Sequence, residues 1–509
     1  MSITRATEIE RKYDVDESAR IPDLSSLGEV QTARPVTLWS VYYDTADGAL
    51  AEHRMTLRRR TGDLDEGWHL KTPAADGRTE YHAELADDPP PELADRVRSV
   101  IRDHELVQVA RMSTLRSVIR LLDKDAATVA EVADDVVLAI EVPAGTQRAW
   151  REWEVELQDA APGDHDAREA LLDSIEKVLR AAGARPSESA SKLAHATGHT
   201  SLGHDTAIVE KSSTSLVVVT AILTELVAAL VAVDPRARDG EPDAVHAMRV
   251  IVRRLRSVLA AFRTVLDRGV TDDIRIRLRE LGSVLGEARD AEVRRQRAID
   301  LLDDVALDHG SRHRMEPQQP DADLRRRLVD DALGEYRVRH EDVVEYLDGA
   351  DYLRLLDDLD ELLARPPIMP GAMADAPTEL RAALSRQARR ARKRLARAHE
   401  DDLVSMHEAR KAARRMRYVA ESLSDGAGAV LGKKTRILAD AGRELQSASG
   451  DHRDAVLYVA HLDDVAGAAA EAGEDTAGYG TLADAERRQA RAALDRFEAA
   501  AEELRRVRL

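Results

Sequence analysis

Charged side chains occupy alternate positions in several short segments of the first half of the chain. Alternate residues of a β-strand point to the same face, so each segment would present its charges together. Carboxylates dominate the first and last of these segments, and cationic side chains dominate the middle ones. The positions are Glu8, Glu10 and Lys12; Arg58 and Arg60; His69 and Lys71; Glu80 and Glu84; and Glu152, Glu154 and Glu156. A solvated face is the ordinary alternative, but a solubilising surface would mix the two signs.

The two sets of side chains would bind different parts of one class of ligand. Clustered carboxylate oxygens bind hard divalent cations such as Mg²⁺, which also bridge to substrate phosphates. Arginine presents fixed donor forks to phosphate oxygens, and lysine acts as a point charge. An interior that holds both sets would bind a metal–polyphosphate chelate. Phosphoryl transfer depends mainly on positioning and charge neutralisation, so no dedicated nucleophile is required.

The second half of the chain contains an internal repeat rich in arginine. The segment HAMRVIVRRLR, which begins at His246, is echoed by HEARKAARRMR, which begins at His407. In each copy a histidine and three arginines step by 3, 4 and 3 residues, which places them on one helical face. A further echo surrounds Asp290 and Asp454, and we expect these aspartates to hold arginines in place. A solvated face would recruit Glu and Lys at i,i+4, so the uncompensated stripes indicate a polyanionic ligand.

The charged segments of the first half belong to a predicted antiparallel sheet. From residue 3 to about residue 157, apolar and polar residues alternate in roughly eight segments separated by turns rich in Gly, Pro and Asp. Helical patterns interrupt this alternation near residues 91–105 and follow it at 167–182. An antiparallel meander of this size can close into a barrel, which removes its exposed edges.

The rest of the chain has helical periodicity. We place the domain boundary between residues 199 and 212, with a linker at 201–212. Two related helical repeats, at about 213–345 and 375–509, would each contain about four helices and pack into one bundle. The apolar segment 216–233 is nearly long enough to span a membrane, but Glu225 interrupts it, and we interpret it as a buried bundle helix. The predicted fold class is therefore a two-domain α+β chain, a β-barrel followed by an all-α bundle.

Composition limits the class of protein further. The 509 residues exceed one hydrophobic core, and at about 150 residues per domain they predict two or three domains. The absence of cysteine excludes disulfides, thiolate metal sites and cysteine nucleophiles, and it fits a reducing compartment. A net charge of −19, with only four Trp, ten Tyr and two Phe, argues against nucleic acid or a membrane as partner. The N-terminal segment has no apolar signal core, so we expect a cytoplasmic protein.

The sequence Glu8-Ile-Glu10-Arg-Lys12 resembles the ExExK signature that opens the CYTH domain of the triphosphate tunnel metalloenzymes. Further charged positions follow in the order of that family: Arg58, Arg60, Lys71, Glu80, Arg116, Glu131, Asp134, Glu154, Glu156 and Lys192. The resemblance covers residues 1–200. It implies a closed eight-stranded antiparallel barrel, the tunnel, in a family whose members hydrolyse triphosphates with Mg²⁺ or Mn²⁺.

The resemblance also assigns roles to individual residues. The residues that would hold the metal and orient water are Glu8, Glu10, Glu154 and Glu156. The residues that would clamp the phosphates are Lys12, Arg58, Arg60, Lys71, Arg116 and Lys192. The catalytic set would be Glu8, Glu10 and Lys12. One departure concerns Thr114, because the family often has a basic residue two positions before the one matched by Arg116; Arg111 is the candidate to compensate.

The second half resembles the CHAD domain, a duplicated all-α module with recurring histidines that commonly follows CYTH and binds inorganic polyphosphate along a basic groove. The match covers residues 213–509. By this resemblance the binding residues are His246, Arg249, Arg253, Arg254, Arg256, His407, Arg410, Lys411, Arg414, Arg415 and Arg417. Residues that would extend the surface are Arg389, Arg390, Arg392, Lys393 and Arg394.

The resulting prediction is a metal-dependent triphosphatase that hydrolyses inorganic triphosphate in the barrel and binds inorganic polyphosphate through the helical domain. The alternative from another class is a non-catalytic polyphosphate-binding or scaffold protein, which Thr114 favours. Among enzymes, thiamine triphosphate hydrolysis and adenylyl cyclisation stay open, although an organic group needs a pocket and aromatic residues are few. We expect inorganic triphosphate and polyphosphate as partners, no nucleic acid or membrane, and a cytoplasmic location at polyphosphate granules.

Overall fold

The computed structural model describes residues 3–62, 65–74, 77–142, 144–189, 191–198, 212–312, 322–398 and 403–507. The chain forms two compact units, Met1–Asp205 and Thr206–Leu509. The predicted linker at 201–212 lies almost wholly outside the described residues.

The first unit is built on one antiparallel sheet. Its described strands are β1 (Thr4–Glu8), β2 (Glu10–Val15), β3 (Glu29–Thr32), β4 (Val36–Asp44), β5 (Thr56–Thr61), β6 (Gly67–Pro73), β7 (Arg78–Ala83), β8 (Val107–Leu122), β9 (Thr128–Glu141), β10 (Gln147–Leu157) and β11 (Arg185–Pro186). Neighbouring strands follow the order β1-β7-β6-β5-β4-β8-β9-β10-β2-β11, and β3 pairs with β8. The prediction of a two-domain α+β chain is confirmed.

The sheet is an open half-barrel, so the prediction of a closed eight-stranded barrel is wrong. The path of paired strands ends at β11, and no ladder between described residues leads back from it to β1. The first predicted strand is divided at Ile9 into β1, which pairs with β7, and β2, which pairs with β10. Ile9 lies between the two strands, and its carbonyl accepts from the Leu157 amide at 3.0 Å. The chain itself therefore joins β1, at one end of the path, to β2, which is next to the strand at the other end.

The outer face of β10 and β2 carries the apolar residues and lies under a helix. The helices of the first unit are α1 (Ala49–Glu52), α2 (Pro91–Ile101), α3 (His165–Ala181) and α4 (Lys192–Thr197). Trp153 and Val155 of β10 pack with Tyr13 of β2 and with Leu172 and Ile175 of α3 in one buried cluster. Helix α3 buries its apolar stripe on this side, which leaves the opposite face of the same strands for the charged residues.

Helix α4 packs against the inner face of the sheet. Ser191 caps it by accepting from the Ala194 amide at 3.1 Å, and the helix ends at Gly198, which adopts φ 69°. Leu193 and Ala196 of this helix pack with an apolar part of β4, β8 and β9. That cluster consists of Tyr42, Ala110, Met112, Val137, Ala139, Leu193 and Ala196. The inner face is thus divided into an apolar part covered by α4 and a charged part.

The second unit is helical. Its described helices are α5 (Ser215–Arg238), α6 (Ala244–Ala261), α7 (Arg268–Arg312), α8 (Ala322–Arg325), α9 (Asp331–Asp348), α10 (Ala350–Ala364), α11 (Ala376–Leu395), α12 (Leu403–Ser422), α13 (Lys433–Glu471) and α14 (Ala477–Arg506). A π-helical segment, Arg326–Asp330, joins α8 to α9. The packing repeats: α5 lies against α6 and α6 against α7, as α11 lies against α12 and α12 against α13. Helices α6 and α12 also contact each other, which brings the two arginine-rich helices together.

Helix α5 is the one described helix long and apolar enough to cross a membrane, with a mean hydropathy of 2.6 over its best window. More than half of that window is buried inside the unit. Core helices pass the same test, and α5 packs with α6, α10 and α11 as a core helix does.

Candidate functional sites

The register of the sheet places most of the predicted charged residues of the first unit on one face; Glu84 lies beyond the end of β7. Paired residues of neighbouring antiparallel strands point the same way. Lys12 of β2 lies opposite Glu154 of β10, and Glu10 lies opposite Glu156. On the other side of the sheet, Arg58 lies opposite His69, and Lys71 opposite Glu80. The parity predicted from the sequence is therefore the parity of the folded sheet.

Glu154 is the centre of a buried ion-pair network. It contacts the Lys12 ammonium, accepts from Arg116 at 2.7 Å and lies 2.6 Å from the Lys192 Nζ. Lys12 also donates to Glu10 at 2.9 Å. Burial alone would raise the pKa of Glu154, but Lys12, Lys192 and Arg116 hold it well below its usual range. Glu154 therefore stays ionised.

Asp135 completes this network, although the sequence analysis did not select it. It is fully buried on β9 opposite Glu152 and accepts from Arg116 at 2.8 and 2.6 Å. Lys192 lies 3.0 Å from Asp135 and 2.5 Å from Glu152. The sequence favoured its neighbour Asp134, and that choice is corrected, because Asp134 points to the outer face.

The outer-face position of Asp134 is fixed by two bonds. Asp134 accepts from Arg151 at 2.7 Å and from the Trp153 indole at 3.2 Å. The signal that could have separated the two aspartates is the pairing of β9 with β10. Asp135 lies opposite Glu152, and Asp134 lies opposite Trp153, which belongs to the outer core.

A second group of charges gathers around Glu80. Its Oε1 lies 3.1 Å from His69 Nδ1, 3.6 Å from the Arg58 guanidinium and 3.9 Å from Lys71 Nζ. Burial would raise the pKa of Glu80, but Lys71, His69 and Arg58 lower it. Lys71 also contacts Glu8.

Arg60 lies beside this group and pairs with Asp65. Its own burial and the nearby Arg58 lower the pKa of Arg60 to about 10. Two buried guanidinium groups that repel each other favour binding of an anion, because the anion would relieve the repulsion.

Glu8, Glu10 and Glu156 form a third group, in which negative charge is in excess. The second oxygen of Glu8 is buried and has no hydrogen-bond partner among the described residues. Burial, and then the nearby Glu8, raise the pKa of Glu156 to about 7. Crowded carboxylates with one orphaned oxygen fit a divalent cation, which would supply the missing charge.

Among the described residues, two groups have ligand atoms close enough to share one metal ion, and neither of them contains Glu8, Glu10 or Glu156. Asp135, Glu152 and Glu154 have carboxylate oxygens within 4.8 Å of one another, as do the ligand atoms of Asp65, His69 and His82. The first group is already bound by Lys192 and Arg116, and Asp65 is bound by Arg60. The metal residues predicted from the sequence are thus divided: Glu8, Glu10 and Glu156 lie together, and Glu154 lies in the ion-pair network.

Thr114 faces the inner side and is buried, opposite Leu38 and Val137. No cation therefore occupies the position where the family often has one. Arg111 does not compensate, because it lies opposite Val41 and Ile140 and donates to Gln108 at 2.7 Å. The sequence expectation for Arg111 is corrected by this parity.

The arginines of the two repeats meet where α6 contacts α12. Arg249 donates to Asp290 at 3.4 Å, as expected for an aspartate that holds an arginine. A Cβ at Gly286 would lie 3.4 Å from an Arg249 nitrogen, and a Cβ at Gly450 would lie 3.5 Å from an Arg410 nitrogen. Each long helix thus carries a glycine where the arginine of the preceding helix crosses it.

Positive charge is in excess between the repeats. Burial, and then Arg253, Arg410 and Arg249, lower the pKa of Arg414 to about 10. Several buried guanidinium nitrogens have no hydrogen-bond partner among the described residues: the Nε of Arg249, Arg254 and Arg256, and the Nε and Nη1 of Arg410. Orphaned donors of like charge are costly to bury unless an anion satisfies them.

The remaining predicted residues of this surface differ in their surroundings. His246, His407 and Lys411 are exposed, and Arg415 is partly buried. Arg417 donates to Glu421 at 2.8 Å, so its charge is already balanced. Arg392 does not extend the surface, because it donates to the Leu504 carbonyl at 3.1 Å and anchors the end of α14.

Comparisons with known proteins match both units. The CYTH domain model matches residues 6–195, and the CHAD domain model matches residues 221–463. Two uncharacterized proteins from two strains of Mycobacterium tuberculosis are 35% identical over 531 aligned residues, covering 98% of this chain and 96% of theirs.

Two solved structures are similar to parts of this chain. The CHAD domain from Ricinus communis is 23% identical, with a TM-score of 0.44, and the match covers 59% of this chain and 96% of that one. A putative adenylyl cyclase from Hippeastrum, described as having a dominant triphosphatase activity, is 17% identical, with a TM-score of 0.23, over 38% of this chain and 96% of that one.

Proposed function

This chain belongs to the family in which a CYTH domain precedes a CHAD domain, and from that premise we propose that its barrel hydrolyses inorganic triphosphate while its helical unit binds inorganic polyphosphate. The observation that carries the proposal is the division of the inner face of the sheet. Glu8 and Glu10 each contact a lysine, whereas Glu156 beside them has a raised pKa, and Arg58 and Arg60 lie on the same face of the sheet.

In the proposed reaction the chain supplies positions and charges. Mg²⁺ or Mn²⁺ bound by Glu8, Glu10 and Glu156 would act as a Lewis acid and neutralise phosphate oxygens. Arg58 and Arg60 would hold the far end of the triphosphate, because their mutual repulsion is relieved by an anion. Lys12 contacts both Glu10 and Glu154, and Lys71 contacts Glu8 and lies 3.9 Å from Glu80, so each lysine links the carboxylate group to a neighbouring charged group.

Arg116 and Lys192 would act from the buried network. Both are fixed by Asp135 and Glu154, so the network holds their cationic heads in place before any substrate enters. Such preorganised charge stabilises a phosphoryl-transfer transition state without reorganisation at the moment of reaction.

For the helical unit, the excess of arginine between α6 and α12 supports binding of a linear polyanion. Arg249, Arg253, Arg410 and Arg414 repel one another, and several of their donors have no partner among the described residues. Phosphate oxygens would satisfy those donors and relieve the repulsion. We propose a cytoplasmic protein that acts at polyphosphate granules, with neither nucleic acid nor a membrane as partner.

A second candidate function is that of a non-catalytic polyphosphate scaffold, and the surroundings of Thr114 favour it. The inner face there is apolar, and α4 covers the neighbouring part of the sheet. The organic group of a substrate such as thiamine triphosphate would need an aromatic ring to stack on. Trp150 on the inner face is already stacked on His195, with ring centroids 4.2 Å apart, which disfavours an organic triphosphate.

The test is phosphate release by the full chain with Mg²⁺ or Mn²⁺. Inorganic triphosphate, thiamine triphosphate and ATP are supplied separately and then in competition. The proposal predicts turnover of inorganic triphosphate that the other two inhibit weakly. Faster phosphate release from thiamine triphosphate than from inorganic triphosphate would make thiamine triphosphate the substrate. No phosphate release from any of the three compounds, with intact polyphosphate binding, would favour the non-catalytic scaffold.

A further inference from the structure

The basic surface of the helical unit differs between the two repeats at one end. His246 and His407 set the correspondence, so Arg256 on α6 matches Arg417 on α12. One turn later the first repeat has Ala260 and the second has Glu421. Because i and i+4 are neighbours on a helix, Arg417 donates to Glu421 at 2.8 Å, whereas Ala260 offers Arg256 no such acceptor.

The long helices that follow enlarge this difference. Asp290 and Asp454 set the correspondence here, so Arg275 on α7 matches Ala439 on α13, and Ile276 matches Asp440. In the second repeat, Arg443 donates to Glu421 at 3.0 Å and to Asp440 at 3.1 Å. The charge at this end of the second repeat is therefore balanced.

At the same end of the first repeat the charge is positive. Asp272 is shared by three arginines: Arg263 at 3.0 Å, Arg268 at 3.3 Å and Arg275 in closer contact. One carboxylate cannot balance three guanidinium groups. We call this group, together with Arg279 and Arg390, the Asp272 cluster.

The Asp272 cluster continues the row of arginines between α6 and α12. Arg275 and Arg279 act on Arg256 and, after its burial, lower its pKa to about 10. After burial, Arg390, Arg275 and Arg263 lower the pKa of Arg415. The Nε groups of Arg256, Arg263 and Arg275 are buried without a hydrogen-bond partner among the described residues. Arg279 and Arg390 are exposed, so the cluster is open to a ligand.

We propose that the Asp272 cluster is a second phosphate-binding subsite, which a long polyphosphate reaches and a short one does not. The inference rests on the proposed binding of polyphosphate by the helical unit. Arg249 and Arg256 are separated by seven residues of α6, or about 10 Å, and the cluster lies beyond Arg256. A polyphosphate held by Arg253 and Arg414 would therefore extend toward Arg275 and Arg390, and not toward the balanced pair of Arg417 and Glu421.

The experiment compares full-length variants by calorimetric titration with a short and a long inorganic polyphosphate. R275Q/R390Q removes two charges from the Asp272 cluster, and R253Q/R414Q removes two from the row between the repeats. R354Q/R365Q is the control for charge, because Arg354 on α10 and Arg365 directly after it are both exposed and both paired with a carboxylate of α10. Thermal unfolding of each variant establishes that it is folded.

The proposal predicts that R275Q/R390Q weakens binding of the long chain about tenfold and leaves the short chain within about twofold of the wild type. R253Q/R414Q should weaken both lengths. An equal loss for both lengths in R275Q/R390Q, or no loss beyond that of the control, would overturn the subsite. Absence of polyphosphate binding by the wild type would instead overturn the proposed function, which keeps the two failures distinct.

Discussion

Lys192 links three buried carboxylates on the inner face of the sheet. Its ammonium lies 2.5 to 3.0 Å from Glu152, Glu154 and Asp135, and Glu154 and Asp135 raise its pKa well above the usual range despite its burial. A buried ion pair that loses one partner leaves an uncompensated charge. The residue thus supports the fold as well as the site.

Lys192→Met should lower the free energy of unfolding of the barrel unit by about 3 to 5 kcal/mol, because three carboxylates lose one shared cation. Urea unfolding of the full chain, followed by tryptophan fluorescence, measures the change. Lys177→Met is the matched control, since Lys177 is exposed on α3 and should change stability by less than about 0.5 kcal/mol. Similar effects for the two variants would contradict the role given to Lys192.

Glu156 lies with Glu8 and Glu10, which contact Lys71 and Lys12 respectively. Glu156→Gln should stabilise the metal-free protein by about 1 to 3 kcal/mol, because burial, and then the nearby Glu8, raise the pKa of Glu156 and so make its charge costly to hold. It should also abolish the rise in melting temperature that Mg²⁺ or Mn²⁺ gives the wild type. Glu169→Gln, which removes a charge on the outer helix α3, should keep the full metal response. A metal response that survives Glu156→Gln would remove this residue from the metal site.

At the scale of elements, alternation along the strands was enough to predict which charged residues share a face. The sequence did not show where a strand is divided or which of two adjacent aspartates points inward. The first strand is divided at Ile9 because β1 pairs with β7 and β2 pairs with β10, and Asp135 faces inward because β9 pairs with β10 in that register. Both facts depend on pairing between distant segments, which local periodicity does not contain.

The periodicity of the sequence also predicted that α6 and α12 each carry arginines along one face. It did not predict which of those arginines are already paired. The shared steps from His246 and His407 fix the helical faces, and the structure places those faces together where α6 contacts α12. The balanced charge of Arg417 follows from Glu421 one turn away, which the count of basic residues did not weigh. The anchoring of Arg392 on α14 is a contact over more than a hundred residues, which no local pattern shows.

The double variant R249Q/R410Q tests the pairing of α6 with α12. We expect its affinity for inorganic polyphosphate to fall at least about tenfold, because both orphaned guanidinium groups are lost. Turnover of inorganic triphosphate should stay within about twofold of the wild type, since the barrel residues are untouched. Calorimetry and a phosphate-release assay on the same preparation measure both quantities. Unchanged affinity would exclude this surface as the binding site.

At the scale of the whole molecule, two kinds of phosphate site occur in one acidic chain. The formal net charge is −19, so a polyanion is attracted only by local groups of arginine and lysine. In the barrel those groups are buried among carboxylates, and between the helical repeats they are more open. Buried charges are screened by salt much less than exposed ones.

Salt should therefore separate the two activities. We expect the affinity of the helical unit for long polyphosphate to fall steeply and linearly on a log–log plot as salt is raised, because each phosphate contact releases counterions. The Michaelis constant for inorganic triphosphate should change several times less over the same range. Titration and initial rates across one salt series measure both. Parallel dependences would indicate that both ligands use one site.

The central claim is that the carboxylates at the start of the chain hold a metal for hydrolysis of a triphosphate. The most direct measurement is the initial rate of phosphate release from inorganic triphosphate, with saturating Mg²⁺ or Mn²⁺, by the wild type, Glu10→Gln and the control Glu169→Gln. We predict metal-dependent turnover in the wild type and the control, and a loss of at least about a hundredfold in Glu10→Gln. Equal rates in all three proteins would contradict the claim.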